Sequence, residues 1–413
     1  MLGWRVSAAV LGAMLTGSPP AVPTAAPAAF VPCPTVTSPG PAPAKPSPPR
    51  HDPGQPTIGG DALATAGLAV PAGTPAPPAL SASSWLVADL DTGAVLGTCG
   101  PHEYHPPASV QKLLLAETML PRLDPTQTVE VTRDDLNIDR GSSAVGLLVG
   151  GHYTVETLWL GLLLESGNDT ANVLARLGGA DAGLAGGLAA MNAEARRLGA
   201  DETHAVSSSG LDRPGQFTSV YDLALIARAD FARDDFRRYT TTLTAQIPAQ
   251  PPQDPRGFQI QNENKLLTRY PGALGGKTGF TDQARHTYVG AAQRNGRRLV
   301  VTLLDAEAWQ LRGWQQGAAL LDWGFALPAD ASVGHLVTPD EVARLRAAPS
   351  SPPAATRPAA ASVGTGSAAD ISVVDIAVVV AGATVPLVAI AAMYRGLTRR
   401  ATRRVRRPHR TRR

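Results

Sequence analysis

Pro106-Pro107-Ala108-Ser109-Val110-Gln111-Lys112-Leu113-Leu114-Leu115 reads as the start of a helix: two prolines stiffen the approach, a serine stands in the first turn, and an apolar run continues through Met119 and Leu120. Three residues apart on a helix is about one turn, so the Lys112 amine can lie beside the Ser109 hydroxyl. Apolar surroundings lower a lysine pKa, and a neutral amine within reach of a hydroxyl can take its proton as it attacks a carbonyl. The helix N-terminus favours negative charge at the serine end. Alone, the Ser-x-x-Lys spacing is common, and its ordinary reading is a helix cap with a surface lysine.

Two later stretches change its weight. Leucine- and alanine-rich helices over Tyr153 to Leu177 are interrupted at Glu165-Ser166-Gly167-Asn168-Asp169, where Gly167 marks a turn that projects polar side chains. Further on, Gly275-Gly276-Lys277-Thr278-Gly279-Phe280-Thr281 reads as a glycine-bearing strand. It offers a cation, a hydroxyl and, at Gly279, room for a substrate against the backbone. An ordered triple of this kind, Ser-x-x-Lys, Ser-x-Asn and Lys-Thr-Gly, is similar to the one that penicillin-binding proteins and class A β-lactamases carry.

Here the chain resembles the D-alanyl-D-alanine carboxypeptidases, the low-molecular-mass, serine-type penicillin-binding proteins. The likeness extends to Gly161-Leu162-Leu163-Leu164, Met191-Asn192, Tyr221-Asp222-Leu223-Ala224 and Asn264-Lys265-Leu266-Leu267, in family order, over roughly Ser83 to Phe325. The resemblance implies an α/β (α+β) fold of the penicillin-binding-protein and β-lactamase-like transpeptidase type, an antiparallel sheet flanked by helices with a mostly helical subdomain. It also implies roles. Ser109 would be the acylated nucleophile, Lys112 its general base, and Ser166 the proton relay to the leaving amine. Asn168 would bind the substrate's peptide carbonyl, Lys277 would supply positive potential, and Thr278 would hold the terminal carboxylate beside Gly279. The amides of Ser109 and Phe280 would form the oxyanion hole, with Arg312 supporting the carboxylate. The substrate implied is the peptidoglycan stem pentapeptide, with β-lactams as covalent inhibitors and no cofactor. No histidine- or cysteine-rich spacing suggests a metal.

Outside that region the composition shifts. Residues 1–29 read as a signal peptide, with Arg5 before the apolar run Val6 to Leu15 and small residues at Ala25 to Ala29. Residues 30–80 are rich in Pro, Ala, Gly, Ser and Thr, which predicts a disordered spacer before a catalytic domain at 81–330. Cys33 and Cys99 can pair in an oxidising compartment or stay as two independent thiols. An Ala/Pro/Ser-rich linker is expected at 331–370 and a transmembrane helix at 371–394, where Ile376 to Tyr394 carries no charge. The Arg-rich tail 395–413 would stay cytoplasmic, leaving the catalytic domain extracytoplasmic at the cell membrane. That tail holds ten arginines and no acid, so the whole-chain charge of +3 conceals −7 in the rest, which argues against nucleic-acid binding.

Elsewhere the strands Trp85–Leu90 and Ala94–Leu96 should pair about Asp91-Thr92-Gly93. A helix should close at Gly199, another should open at Thr218 or Ser219, and a hairpin should turn at Asn295-Gly296 before a closing helix from about Arg312 to Trp323. Three places depart from the family pattern: Ser207-Ser208-Ser209-Gly210-Leu211, Ala284-Arg285-His286, and the short segment Val333 to Val337 where many members carry a second β-rich domain. Two rival functions stay open. A serine β-lactamase would need a deacylating carboxylate, for which Glu165 is the nearest candidate, and a non-hydrolysing binder of cell-wall fragments or β-lactams would need no turnover at all.

Overall fold

The computed structural model describes residues 30–39, 46–49 and 57–347. Its first strands are β1 (Leu68–Ala69), β2 (Ser84–Asp89) and β3 (Ala94–Cys99). The tight connection between β2 and β3 is fixed by Asp89, whose Oδ1 accepts from the amides of Asp91 and Thr92 at 3.0 and 2.9 Å. A helical block comes next, with α1 (Lys112–Met119), the small pair β4 (Thr128–Glu130) and β5 (His152–Thr154), then α2 (Val155–Leu164), α3 (Asn168–Gly178) and α4 (Gly183–Leu198). It closes with α5 (Val220–Ala232) and α6 (Asp234–Thr241). Ser219 caps α5, its hydroxyl accepting from the Asp222 amide at 3.1 Å. A second small pair, β6 (Thr244–Ile247) and β7 (Phe258–Gln261), and the short α7 (Leu266–Arg269) lead to β8 (Ala273–Thr281), β9 (Arg285–Arg294) and β10 (Arg297–Ala306). The chain then forms α8 (Gly313–Ala326), β11 (Gly334–His335) and α9 (Pro339–Ala347).

The main sheet runs β1-β3-β2-β10-β9-β8, with β11 beside β3, and its pairings are antiparallel. Alternation along each strand divides its apolar residues between two cores. Trp85, Val87, Leu299, Val301 and Leu303 pack with Leu320, Leu321 and Trp323 of α8, while Leu86, Ala88, Val300 and Leu304 face the cluster built by α1 to α5. Each valine or leucine among them, fully buried, contributes roughly 1.5–3 kcal/mol of transfer free energy. Burial on both faces is why these strands read as nearly continuous apolar runs. This is the α/β architecture of antiparallel sheet and helices that the sequence predicts, and it leaves β8 as the edge strand beside the turn that carries Ser109.

The disordered spacer expected at 30–80 is corrected for its C-terminal part. Residues 57–80 belong to the fold: β1 pairs with β3, and Leu63 and Leu80 are fully buried. Residues 31–36 lie alongside, the Leu68 amide donating to Val31 O and the Val36 amide to Leu80 O, both at 2.8 Å. Cys33 and Cys99 are joined in a disulfide that clips this strap to β3. Average composition concealed this, because a few placed apolar residues and one crosslink suffice to offset the ordering entropy. The linker expected at 331–370 likewise begins too early. β11 pairs with β3, Leu336, Val337 and Val342 are buried, and the Tyr221 hydroxyl donates to His335 O at 3.0 Å. The signal peptide at 1–29, the span at 371–394 and the tail at 395–413 lie outside the described residues; among the described residues no helix is long and apolar enough to cross a membrane.

The disulfide spans 66 residues of sequence, so its loss frees a long loop in the unfolded chain. Replacing both cysteines with serine is expected to cost about 2–4 kcal/mol, read as a lower urea midpoint, with the geometry of the distant cleft unchanged.

Candidate active site

Ser109 lies in a 3-10 turn, Ala108–Gln111, immediately before α1, rather than inside the α-helix itself. Ala108 is held at φ 49°, as is Ser166 at φ 61°; such backbone costs about 1–3 kcal/mol per residue and concentrates where side chains must be aimed. Lys112, the first residue of α1, is fully buried. Its Nζ lies 2.8 Å from Ser109 Oγ, 2.7 Å from Asn168 Oδ1 and 3.0 Å from Ser209 O. Burial, reinforced by the nearby Lys277 charge, holds its pKa well below the usual lysine range, against the pull of Asp169 and Glu263. A neutral amine has two N–H donors and one lone pair. Two carbonyl oxygens take the donors, which leaves the lone pair for the Ser109 hydroxyl.

The second pair is built the same way. Ser166 closes the α2–α3 connection and Asn168 opens α3; both are buried. The Asp169 carboxylate fixes this turn, accepting from the amides of Val145, Gly146 and Leu147 at 3.0, 2.8 and 3.0 Å. Asn168 N donates to Ser143 O at 2.9 Å, so the 141–147 loop and the Ser166 turn are one unit. From β8, Lys277 Nζ donates to Ser166 Oγ at 2.8 Å and to Thr278 O at 2.7 Å. Burial pushes Lys277 down to about 8, with the Glu263 carboxylate opposing the shift. With Asn168 Oδ1 committed to Lys112, its Nδ2 is the donor it can offer a substrate.

Strand β8 is fastened to the serine turn. Thr287 Oγ1, from β9, donates to Pro107 O at 2.9 Å, and a Cβ on Gly279 would stand 2.8 Å from the Ser109 amide nitrogen and collide with Thr287 Oγ1. Gly279→Ala is therefore expected to push β8 off the serine turn and slow any acylation of Ser109 by on the order of 10²-fold, measured by single-turnover kinetics. The resulting cleft, about 730 Å³ in volume, is lined by Ser109, Ser166, Asn168, Thr278, Gly279 and Phe280, and Arg312 reaches the same cleft from the start of α8. All the residues singled out in the three motifs thus converge, Lys112 and Lys277 from beneath and the others at the wall.

The departures from the family pattern have structural answers. Thr281 pairs with Arg285 and Phe280 with His286, so the β8–β9 edge stays in register through Ala284-Arg285-His286. Arg285 is held by Glu307 at 2.7 and 2.9 Å, and His286 packs on the half-exposed Phe280 ring with centroids 4.7 Å apart. Glu165 does not line the cleft; its Oε1 accepts from the Gln261 amide at 3.1 Å. The cleft carboxylate is Glu263, which sequence reasoning passed over although it adjoins Asn264-Lys265-Leu266-Leu267. Desolvation raises its pKa, against the Lys277 charge. Ser209, whose side chain gave no signal, enters through its backbone carbonyl. Among the described residues no group of three or more His, Cys, Asp or Glu side chains could hold a metal ion.

A buried amine against a half-buried serine hydroxyl, with a second amine and hydroxyl across the same cleft, defines a serine-type acyl-transfer site. The family model described as D-alanyl-D-alanine carboxypeptidase matches residues 72–308. The D-alanyl-D-alanine carboxypeptidase DacB2 of Mycobacterium tuberculosis is 45% identical over 272 residues, covering 64% of this chain and 90% of that protein. Salmonella typhimurium DacD is 33% identical over 60% of this chain, which spans 64% of DacD's length. Among solved structures, a D-alanyl-D-alanine carboxypeptidase from Mycobacterium tuberculosis superposes with a TM-score of 0.61 at 43% identity over 65% of this chain and all of the other. The Streptomyces K15 DD-transpeptidase gives 0.58 at 27% identity, over 61% of this chain and all of its own. The chain belongs to the D-alanyl-D-alanine carboxypeptidase family of serine-type peptidases.

Proposed function

We propose that the protein removes the terminal D-alanine of peptidoglycan stem pentapeptides through an acyl-enzyme on Ser109, and that penicillins acylate the same oxygen. The observation that carries this reading is the 2.8 Å approach of a fully buried, pKa-depressed Lys112 amine to Ser109 Oγ. Ser109 Oγ attacks the penultimate carbonyl carbon while Lys112 takes its proton. The tetrahedral oxyanion collects at the Ser109 and Phe280 amides. As the C–N bond breaks, Ser166, its hydroxyl held by the Lys277 ammonium, passes its proton to the departing amine and takes in its place the proton that Lys112 had accepted, which leaves Lys112 neutral again. Water then cleaves the ester with Lys112 again as base, releasing the shortened peptide and free serine. Thr278 and Arg312 meet the terminal carboxylate, and Asn168 Nδ2 meets the peptide carbonyl. The residues Cys33 and Cys99 suit an oxidising compartment. With the signal-like start and the apolar run before the arginine-rich tail in the sequence, they support a reading in which the catalytic domain lies outside a cell membrane that the chain spans once, in contact with the cell wall.

The test is incubation of the full-length chain with a peptide ending in D-alanyl-D-alanine and with a fluorescent penicillin. Released D-alanine and a long-lived adduct support the proposal. Rapid penicillin turnover would make it a β-lactamase, against which Glu165 is already tied to the Gln261 amide. Binding with neither product would make it a sensor.

A further inference from the structure

The segment Val206–Leu211 has neither helix nor strand, yet it supplies the Ser209 carbonyl that holds the Lys112 amine at 3.0 Å. One buried side chain fastens both its ends. Gln216 Oε1 accepts from the amides of Val206 and Ser207 at 3.0 and 2.7 Å and from Ser207 Oγ at 3.0 Å, and Gln216 Nε2 donates to Leu211 O at 2.6 Å. Inside this clamp, Ser207 Oγ accepts from Gly210 N at 3.1 Å, and Ser208 Oγ donates to Asn172 Oδ1 of α3 at 2.8 Å. Gly210 sits at φ +90° with its α-carbon face against the Ala108 carbonyl, which a Cβ would strike. Gln216 itself is buried and does not line the cleft.

We infer that Gln216 is a positioning residue for the acylation step: by clamping Val206–Leu211 it aims the Ser209 carbonyl, and that carbonyl orients the Lys112 amine toward Ser109. The inference rests on Lys112 as the base that accepts the serine proton. Without the clamp the segment keeps the Ser208–Asn172 tie but loses the fastening of its two ends, so the Ser209 carbonyl shifts and the amine's lone pair points at the hydroxyl for a smaller fraction of the time. The charges around it, Lys277, Asp169 and Glu263, stay where they are.

The experiment compares wild type, Gln216→Met and Gln216→Glu in the full-length chain. It measures the rate constant and the amplitude of acylation by a fluorescent penicillin. It also measures the affinity of a D-alanyl-D-alanine peptide for Ser109→Ala with and without Gln216→Met. The expected result is an acylation rate constant lower by on the order of 10²-fold in Gln216→Met, the loss typical of a catalytic group misplaced by about an ångström. The amplitude is full and peptide affinity is unchanged. Gln216→Glu keeps the three acceptor contacts and loses the donor to Leu211, so its rate falls between the two; if Gln216→Met does not fold, this partial loss carries the test. A wild-type rate constant in either variant overturns the inference, as does a loss confined to the amplitude, which is the signature of misfolded protein. A wild-type chain that takes no label overturns the underlying reading of the site instead.

Discussion

Lys112→Ala is expected to leave a chain that binds a D-alanyl-D-alanine peptide and acylates about 10²–10⁴-fold more slowly, the range a positioned general base supplies. The side chain is fully buried, so its removal also leaves a cavity; Lys112→Met fills much of that volume and separates chemistry from packing. Both variants should lose the same fraction of activity, because what is lost is the amine 2.8 Å from Ser109 Oγ. Peptide affinity, measured in the absence of turnover, should be retained in Lys112→Met. An acylation rate within a few-fold of wild type in either variant would remove the lysine from its role.

The second large effect is expected at Lys277. Lys277→Met removes the donor to Ser166 Oγ and the charge next to the leaving-group path, and kcat/KM should fall by on the order of 10²-fold or more. It should also move the pH profile, with a defined sign. In the proposed mechanism acylation needs Lys112 neutral, so its rate is expected to rise as pH passes the Lys112 pKa. The Lys277 charge is one of the forces keeping that pKa low, second to burial. Without it the ammonium form of Lys112 is less disfavoured, the pKa rises, and the acid limb of acylation moves to higher pH. On the alkaline side, wild type should lose activity as Lys277 itself deprotonates near 8, a limb that the variant lacks. An unmoved acid limb, or one displaced to lower pH, would show that the two amines do not sense each other.

Most of the fold was legible wherever local chemistry decides it. Asp89 and the turn after it, the Asn295-Gly296 reversal with both residues at positive φ, and the Ser219 cap all carry signals within a few residues of themselves. The three motif segments were legible for the same reason, each being short and chemically unusual. What escaped depended on contacts across the chain. The strap at 31–36 and residues 57–80 look like a linker by composition, and contacts distant in sequence, among them the pairing with β3, the burial of Leu63 and Leu80 and the Cys33–Cys99 bond, give them a place. Ser209 and Gln216 act through a backbone carbonyl and through side-chain bonds to backbone amides, which leave no residue-type pattern to read. Glu263 sits beside a recognised landmark, but its position at the cleft becomes visible only once the short α7 and β8 are placed.

The central claim is that Ser109 Oγ is the atom acylated. Its most direct test is mass spectrometry of the full-length chain after exposure to a penicillin, followed by proteolysis and mapping of the modified peptide. The account predicts one added penicillin per chain, located on Ser109 and missing from Ser109→Ala. A covalent adduct that persists in Ser109→Ala, or that maps to any other residue, would contradict it.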